Sequence, residues 1–375
     1  MSTAIVHDYM TQLGGAERVA GRLAERYPNA SLYTSAHRRD VVPLAAIGGR
    51  EWHTSFLQTL AARSNLKAML PLLPAAIASL PVSGHDMVIS SSSGFGHHAR
   101  AAPEATHVWY CHTPPRFLWE SDTYFTRRPA LQPTLSLLLA LLRRMDQRAA
   151  ARVDAIFAVS KHIAARIERV YGRQAQVVHP PVDVQAYAPS RERSGRFLVL
   201  SRLVASKRVE LAVEAANRYQ LPLDVIGTGP ELSALKRLAG PTARVLGWQP
   251  DADVRRALAT AEAVVIAGEE DFGLVTVEAQ ASGRPPVTFA AGGALEIVED
   301  GTTGYFFDQQ DPDAIAEAML RARVGHLEVD DLVASARRFD LPSFHERLDT
   351  ALAIAKAEAN ARVSSREAIA LEAGS

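Results

Sequence analysis

The sequence predicts an α/β protein built from two doubly wound domains. Short apolar segments that are typical of buried parallel strands alternate with helical segments, and this alternation starts afresh at residue 196. The 375 residues are also too many for one ordinary core, so two domains of about 150 to 200 residues are expected. Open α/β sheets bind ligands at the carboxyl ends of their strands, so the loops there are where function is expected.

The composition excludes several classes of protein. Lys plus Arg and Asp plus Glu both number 41, so no overall field favours nucleic acid. The single cysteine, Cys111, excludes an internal disulfide framework and a cysteine-based zinc site, and it fits a reducing compartment. The N-terminus has no signal-peptide pattern, and no apolar run approaches the roughly 20 residues that cross a bilayer. We therefore expect a cytoplasmic protein.

The first half opens with a strand at 4–6, followed by Gly14 and Gly15 and then a helix. Strand, Gly-Gly and helix form the layout of a turn that cradles phosphate. A plain tight turn would give the same pattern, and the G-x-G-x-x-G fingerprint of dinucleotide binding is missing. Ser160 is a natural N-cap for a helix that ends near Val170. Further strands are expected at 31–35, 86–90, 106–111 and 154–159, and the stretch 176–183 closes this half.

Histidines follow two of these strands. His97 and His98 come after the strand at 86–90; such a pair can bind metal, but no acidic residue lies at ligand spacing nearby, so we expect a plain loop. His112 stands at the end of the strand at 106–111, and Pro114 and Pro115 stiffen the loop behind it. The position of His112 at a strand end favours a functional role over a structural one.

Two leucine-rich segments of the first half, 52–80 and 130–150, leave two interpretations open. The second carries Arg143, Arg144 and Arg148 beside its leucines. Both segments are typical of core-facing helices with a solvated face. Both would also suit contact with an anionic membrane surface or a diphosphate lipid.

In the second half, strands are expected at 196–200, 223–226, 244–246, 263–267, 286–289 and 305–307, and helices at 254–260, 311–323, 328–338 and 343–362. Arg202 and Lys207 flank the turn after the first of these strands, where both cations can reach a diphosphate. Asp251 and Asp253 resemble a D-x-D metal motif. Because a helix follows at once, we interpret them as capping and first-turn charge.

The stretch from Gly268 to Ala279 is the centre of the second half. Glu270 lies in a strand-to-helix turn, and Glu278 lies one to two turns into a helix expected over Leu274–Ser282. A helix N-terminus carries a partial positive charge and unpaired N–H groups, which suit an anion whose hydroxyls the two carboxylates could bind. The alternative is that Glu270 is solvated loop charge and Glu278 an exposed helix residue.

These motifs together resemble the retaining glycosyltransferases of family 4, which have the GT-B fold. The matching elements are Gly14-Gly15-Ala16-Glu17, His112, Val178 to Asp183, Arg202 with Lys207, Gly227-Thr228-Gly229, Glu270 and Glu278 with Phe272-Gly273-Leu274 between them, and Gly292-Gly293. The stretch 111–119 is similar to members that transfer mannose from GDP-mannose in bacterial surface-polysaccharide assembly. Two residues depart from the pattern, since the family usually has glycine at Asp271 and often at Ser201.

The resemblance implies two Rossmann-like domains that face each other across a cleft. Residues 1–188 would form the acceptor-side domain and residues 189–342 the nucleotide-sugar domain. Residues 343–365 would form a helix that crosses back to the first domain. Among the site residues, the resemblance implies catalytic roles for His112, Arg202, Lys207 and Glu270. It implies donor contacts for Gly14, Gly15, Gly227, Phe272, Gly273, Leu274 and Glu278.

The implied reaction is transfer of a hexose, mannose from GDP-mannose, to a hydroxyl of a polyprenyl-diphosphate-linked glycan in exopolysaccharide, capsule or O-antigen synthesis. The resemblance implies retention of configuration, no metal or other cofactor, and peripheral association with the inner face of the plasma membrane. A UDP-sugar donor stays open, as do a nucleotide-sugar epimerase, a phosphorylase on the same fold and a non-catalytic nucleotide-sugar binder. The missing G-x-G-x-x-G argues against a NAD-type dehydrogenase.

Overall fold

We analysed a computed structural model, which describes residues 2–61, 66–120 and 132–373. The chain divides into two compact units. The first combines Met1–His179 with His345–Ser375, and the second is Pro180–Phe344. Each unit has its own sheet of parallel strands with helices between them, which confirms the predicted α/β class with two doubly wound, Rossmann-like halves.

Within the described residues, the first unit contains a seven-stranded parallel sheet. Its strands are β1 (Thr3–His7), β2 (Ser31–Thr34), β3 (His53–Thr54), β4 (Met87–Ser92), β5 (Thr106–Cys111), β6 (Ala155–Ala158) and β7 (Gln176–Val177). They lie in the order β3-β2-β1-β4-β5-β6-β7. The direction of winding therefore reverses between β1 and β4, and in such sheets this point opens a crevice at the strand ends.

Helices and short turns complete the first unit. Among the described residues, its helices are α1 (Gly15–Arg26), α2 (Leu57–Ala61), α3 (Leu73–Ala78), α4 (Arg116–Trp119), α5 (Gln132–Arg152) and α6 (Lys161–Tyr171). The Ser160 hydroxyl accepts a hydrogen bond from the N–H of Ile163 at 3.1 Å, which confirms Ser160 as the N-cap of α6. At the C-terminal end of α1, the Arg50 guanidinium donates hydrogen bonds to the carbonyls of Ala24 and Tyr27 and so caps the helix.

The second unit contains a six-stranded parallel sheet among the described residues. Its strands are β8 (Phe197–Leu200), β9 (Leu223–Ile226), β10 (Ala243–Gly247), β11 (Val264–Ile266), β12 (Pro286–Phe289) and β13 (Tyr305–Phe307). Their order is β10-β9-β8-β11-β12-β13, so this sheet reverses its winding between β8 and β11. Its helices are α7 (Val209–Arg218), α8 (Leu232–Leu238), α9 (Asp251–Thr260), α10 (Leu274–Ala281), α11 (Ala294–Ile297), α12 (Pro312–Val324) and α13 (Val329–Arg337).

The C-terminal helix α14 (Leu341–Ala373) begins in the second unit, and from His345 onward it belongs to the first. Within the first unit, Asp349 of α14 forms an ion pair with Arg26 of α1, with 2.5 Å between the two charged groups. The helix is longer than the predicted 343–362. In the part of the chain that the structure describes, no helix is long and apolar enough to cross a membrane.

Candidate active site

The clearest site feature of the second unit lies where its sheet reverses direction. Lys207 follows β8 and Glu270 follows β11, and the lysine Nζ lies 2.5 Å from the Glu270 Oε2. Both side chains are only about a quarter exposed, at 24% and 22%. A pocket opens beside them, lined also by Leu200 and Ile266 at the strand ends and by Val275 of α10. A cation and a carboxylate thus meet at the crevice where α/β sheets bind ligands.

Glycines let the neighbouring loops pack backbone against backbone. Gly227 follows β9 with φ at 145°, and a Cβ on it would lie 1.8 Å from the carbonyl oxygen of Ser201 after β8. Gly229 has φ at 158° and approaches the Leu203 carbonyl in the same way, at 2.2 Å. Any larger residue would separate the two loops. Gly227, predicted as a donor contact, therefore has an observed structural role in seating the loop that carries Lys207.

The loop after β12 supports the Glu270 turn. The N–H of Gly293 donates to the Glu270 carbonyl at 2.9 Å. A Cβ on Gly293 would lie 2.3 Å from the Phe272 carbonyl oxygen, and one on Gly292 would lie 2.2 Å from that of Glu270. Both positions therefore require glycine, because the loop after β12 passes directly over the turn after β11.

Helix α10 starts immediately after this turn. Gly273 is its N-cap with φ at 109°, and Leu274 is its first residue, so the predicted helix start is confirmed. Glu278 is only 8% exposed, which rules out the alternative of an exposed helix residue. The Phe272 ring is buried and packs on Phe339 with centroids 5.3 Å apart. The observed role of that ring is to anchor the turn in the core.

Arg202 is placed differently from Lys207. It stands in the loop after β8 as predicted, but its side chain is exposed and does not line the pocket beside Lys207. The acidic pair Asp251 and Asp253 lies in the first turn of α9, with Pro250 as the N-cap, and Asp253 forms an ion pair with Arg256. The prediction of first-turn charge is thus confirmed, while the prediction of capping is wrong because Pro250 occupies that position.

In the first unit, the Gly-Gly turn follows β1 at the point where that sheet reverses. Gly14 is the N-cap of α1, and Gly15 is the first helical residue. The buried Glu17 carboxylate accepts the N–H of Gly14 at 2.8 Å and the Gln12 amide at 3.3 Å. Glu17 therefore holds the turn, and the first N–H groups of α1 form a helix N-terminus of the kind that binds anions.

His112 lies at the end of β5, as predicted. Its Nε2 is 2.9 Å from the Ser91 hydroxyl, and its backbone N–H donates to the Ser92 carbonyl. Burial, with a smaller contribution from nearby His7, lowers the pKa of His112 to about 3. The imidazole is therefore neutral at physiological pH, and it can exchange hydrogen bonds with a hydroxyl without adding charge.

Asp8 is a positioning residue that sequence reasoning missed. It follows β1 directly and is 4% exposed. Its carboxylate accepts hydrogen bonds from the Ser92 hydroxyl at 2.8 Å and from the N–H groups of Ser93 at 2.7 Å and Gly96 at 2.6 Å. Asp8 therefore fixes the loop after β4 to the end of β1. An acid directly after the first buried strand was the signal that could have identified it.

His97 and His98 have an acidic neighbour that their sequence surroundings did not reveal. Asp146 of α5, distant in sequence, brings its Oδ1 to 3.0 Å from His97 Nε2 and 3.5 Å from His98 Nε2, and all three side chains are buried. The expectation failed because it searched for an acid only at nearby sequence positions, whereas the fold supplied one from a helix.

With this geometry established, comparison with known proteins identifies the family. Residues 13–186 match the family described as Glycosyltransferase Family 4, and residues 186–337 match the one described as Glycosyl transferases group 1. The two matches together span residues 13–337, which include most of both units. The chain belongs to glycosyltransferase family 4. The first match includes Gly14, Gly15 and His112, and the second includes the Lys207–Glu270 pair.

Curated relatives of this family 4 member match it over part of their length. A GDP-mannose-dependent alpha-(1-6)-phosphatidylinositol monomannoside mannosyltransferase of Mycolicibacterium smegmatis is 31% identical over 54% of this chain and 58% of its own. A D-inositol 3-phosphate glycosyltransferase of Geodermatophilus obscurus is 31% identical over 52% of this chain and 50% of its own. The matched regions thus span only about half the length of these relatives.

Solved structures support the GT-B fold over nearly the whole family 4 chain. HepE of Anabaena, solved with UDP, aligns with a TM-score of 0.69 and 18% identity over 94% of this chain and 100% of its own. Sucrose-phosphate synthase of Thermosynechococcus elongatus aligns with a TM-score of 0.70 and 15% identity over 94% and 98%. At these identities the likeness establishes the fold.

Proposed function

We propose that this chain transfers mannose from GDP-mannose to a hydroxyl of a lipid-linked glycan, with retention at the anomeric carbon. The observation that carries the proposal is the Lys207–Glu270 pair at the reversal point of the second sheet. A leaving nucleoside diphosphate needs positive charge and N–H donors. Lys207 and the start of α10 supply both beside one pocket.

In the proposed reaction, the bond from the anomeric carbon to the phosphate oxygen breaks, and the acceptor oxygen attacks on the same face. The departing phosphate takes the acceptor proton, so no enzyme nucleophile is needed. Lys207 stabilises the charge that develops on the diphosphate, and the exposed Arg202 can swing toward its outer oxygens. Because these groups supply the positive charge, we expect transfer without a divalent metal.

The carboxylates and His112 bind the hydroxyl-bearing parts of the donor. Glu270 holds the Lys207 ammonium in place and accepts a sugar hydroxyl, while the buried Glu278 accepts the ribose hydroxyls. For the first unit, the family resemblance implies that the neutral His112 binds a sugar hydroxyl and that the Gly15 N–H binds phosphate. A neutral imidazole suits this role because it can donate or accept a hydrogen bond without adding charge.

Mannose and guanine rest on the name of the Mycolicibacterium smegmatis relative, which is described as GDP-mannose-dependent. A UDP-sugar is the second candidate donor, because HepE has been solved with UDP and with UDP-glucose. If GDP-mannose is the donor, the purified protein should use GDP-mannose and bind GDP more tightly than UDP in calorimetry. If a UDP-sugar is the donor, both preferences should be reversed.

Helix α5 supports an acceptor that resides on a membrane. Leu137, Leu141, Arg144 and Arg148 recur at helical spacing, so they line one face, and all four are exposed. Leu137 is 74% exposed and Leu141 56% exposed. Apolar side chains followed by arginines on one face suit insertion at an anionic bilayer surface, where a polyprenyl-linked acceptor would lie.

The central experiment is a transfer assay on the purified full chain with a panel of GDP- and UDP-sugars, a lipid-linked acceptor extract, and EDTA. We expect product from GDP-mannose in EDTA, with an axial anomeric configuration by NMR. Loss of activity in EDTA that Mg²⁺ or Mn²⁺ restores, and that Zn²⁺ does not restore, would refute metal-independent transfer. Donor turnover without an acceptor, giving epimerised or phosphorolysed sugar, would favour the epimerase or phosphorylase. Tight GDP binding without turnover of any donor would favour a non-catalytic binder.

Membrane association is tested separately by co-sedimentation with vesicles. We expect binding to vesicles containing phosphatidylglycerol and little binding to phosphatidylcholine alone. Leu137→Ser with Leu141→Ser should weaken binding, whereas Leu320→Ser, an exposed leucine of the second unit, should not. Equal binding by the double variant and the wild type would rule out this face of α5.

A further inference from the structure

The first unit contains a buried cluster that the proposed reaction does not use. Its members are His97 and His98, in a single turn after β4, and Asp146 in the middle of α5. His97 and Asp146 have fully buried side chains and that of His98 is 5% exposed. One potential ligand atom from each residue lies within 4.8 Å of the other two.

The facing atoms are close together, but they are not paired by aligned hydrogen bonds. His97 Nε2, His98 Nε2 and Asp146 Oδ1 all lack a hydrogen-bond partner of good geometry among the described residues. Buried polar atoms are nearly always satisfied, so three unsatisfied atoms around one point need an explanation. A cation held between them would satisfy all three.

Other contacts hold the cluster in a geometry suited to a metal ion. The Asp146 Oδ2 accepts hydrogen bonds from Trp119 Nε1 at 2.8 Å and the Tyr171 hydroxyl at 2.7 Å, so Oδ1 is left to face the histidines. The His97 ring stacks on Trp109 with centroids 3.8 Å apart, which fixes its plane. Second-shell donors and packing of this kind orient the ligands of natural metal sites.

The distances also fit. Ligands about 2.1 Å from a tetrahedral zinc ion lie about 3.4 Å from one another. The two histidine-to-aspartate distances, 3.0 and 3.5 Å, are close to that value. Two imidazoles and a carboxylate are ligands that a divalent first-row transition metal accepts.

We propose that His97, His98 and Asp146 bind a divalent transition-metal ion of the zinc class, which fastens α5 to the loop after β4. The same loop contains Gly96, whose N–H is held by Asp8 at the end of β1. The metal would thus stabilise the loop beside the reversal point of the first sheet. It has no part in the transfer reaction, so this inference stands or falls independently of the proposed function.

The test is metal content, measured by mass spectrometry on tag-free full-length chain after loading with Zn²⁺ and extensive dialysis. We expect about one zinc per chain, a rise of at least about 3 °C in Tm on Zn²⁺ addition, and visible bands of tetrahedral geometry with Co²⁺. Asp146→Asn and His98→Gln should each lower the retained zinc at least tenfold. His85→Gln, a partly buried histidine outside the cluster, should leave it unchanged.

Two results would overturn the proposal. The first is a wild-type chain that retains less than about 0.1 zinc ion per chain and shows no change in Tm when Zn²⁺ is added. The three side chains would then form a hydrogen-bonded network without a metal. The second is equal zinc retention in wild type and His98→Gln, which would place the ion elsewhere. The wild-type measurements decide the question even where a variant fails to fold.

Discussion

Replacing Lys207 by methionine tests whether its charge serves the donor or only the fold. Methionine keeps most of the length of the lysine stem and removes the ammonium that lies 2.5 Å from Glu270. Under our proposal this ammonium stabilises the leaving diphosphate. Under the alternative, it merely neutralises a partly buried carboxylate.

The structure sets the scale of both effects. At 2.5 Å, two unit charges attract by about 2 kcal/mol at the dielectric constant of water and by about 7 at an effective value of about 20. Desolvation of both groups offsets most of this attraction, so we expect Lys207→Met to lower the free energy of unfolding by about 1 to 2 kcal/mol. Loss of one electrostatic stabiliser of the transition state costs about 10²- to 10³-fold in kcat.

The assay compares the kcat of sugar transfer and urea unfolding for wild type, Lys207→Met, Glu270→Gln and the double variant. Arg218→Met serves as the matched control because it removes an exposed ion pair with Asp313 in the same unit. We expect Arg218→Met to leave kcat unchanged. We expect Lys207→Met to lose about 10²-fold or more, and the double variant to be no more active.

A double variant that recovers most of the wild-type kcat would refute this reasoning. Recovery would mean that the only harm in Lys207→Met is an unpaired Glu270 carboxylate, which the glutamine removes. The unfolding data show whether a loss of kcat comes from instability. If the pair is purely structural, each variant that lowers kcat also lowers the free energy of unfolding.

Three further predictions concern stability, each measured by urea unfolding. Gly293→Ala should lose more than about 2 kcal/mol, because its Cβ would lie 2.3 Å from the Phe272 carbonyl oxygen, while Gly84→Ala, with open space around it, should change by less than about 0.5. Equal losses would contradict the close approach. Burial lowers the pKa of His107 from 6.5 to about 3 in the folded protein, because the buried imidazole is neutral. The stability that this neutral imidazole contributes to the fold is therefore fully present above pH 6.5 and is lost as the pH falls toward 3. His107→Gln should therefore reduce the loss of stability between pH 7 and 5 by about 2 kcal/mol, and an unchanged pH slope would show that this histidine does not titrate on unfolding. Ser160→Ala should cost about 1 kcal/mol through loss of the α6 cap, and a change near zero would mean that water replaces it.

The sequence alone predicted most strands to within one or two residues, because buried parallel strands are near-continuous apolar runs bounded by turn residues. It missed β3, His53–Thr54, because a two-residue strand carries no periodicity. It also missed that α9 begins at Asp251, since either residue of a D-x-D can start a helix. The first error omits an edge strand of the first sheet, and the second is a boundary error.

Some residues of the candidate site could be predicted from the sequence, whereas their contacts with one another could not. Local chemistry marked Gly227, Gly273 and His112, because strand ends, glycine turns and helix starts are written in neighbouring residues. The contact between Lys207 and Glu270 spans 63 residues, and no pattern in either segment encodes it. The meeting of those two side chains depends on β8 and β11 lying side by side, which strand order decides.

The sequence by itself therefore determined the α/β class, the repeat of two doubly wound halves and the turns at which the candidate ligand-binding residues stand. Only the tertiary structure decided which residues meet at those turns. It paired Lys207 with Glu270, held the loop after β4 on Asp8, and brought Asp146 against the two histidines. The physical reason is that turn chemistry and periodicity act between near neighbours in the chain, whereas packing joins elements that no local signal relates.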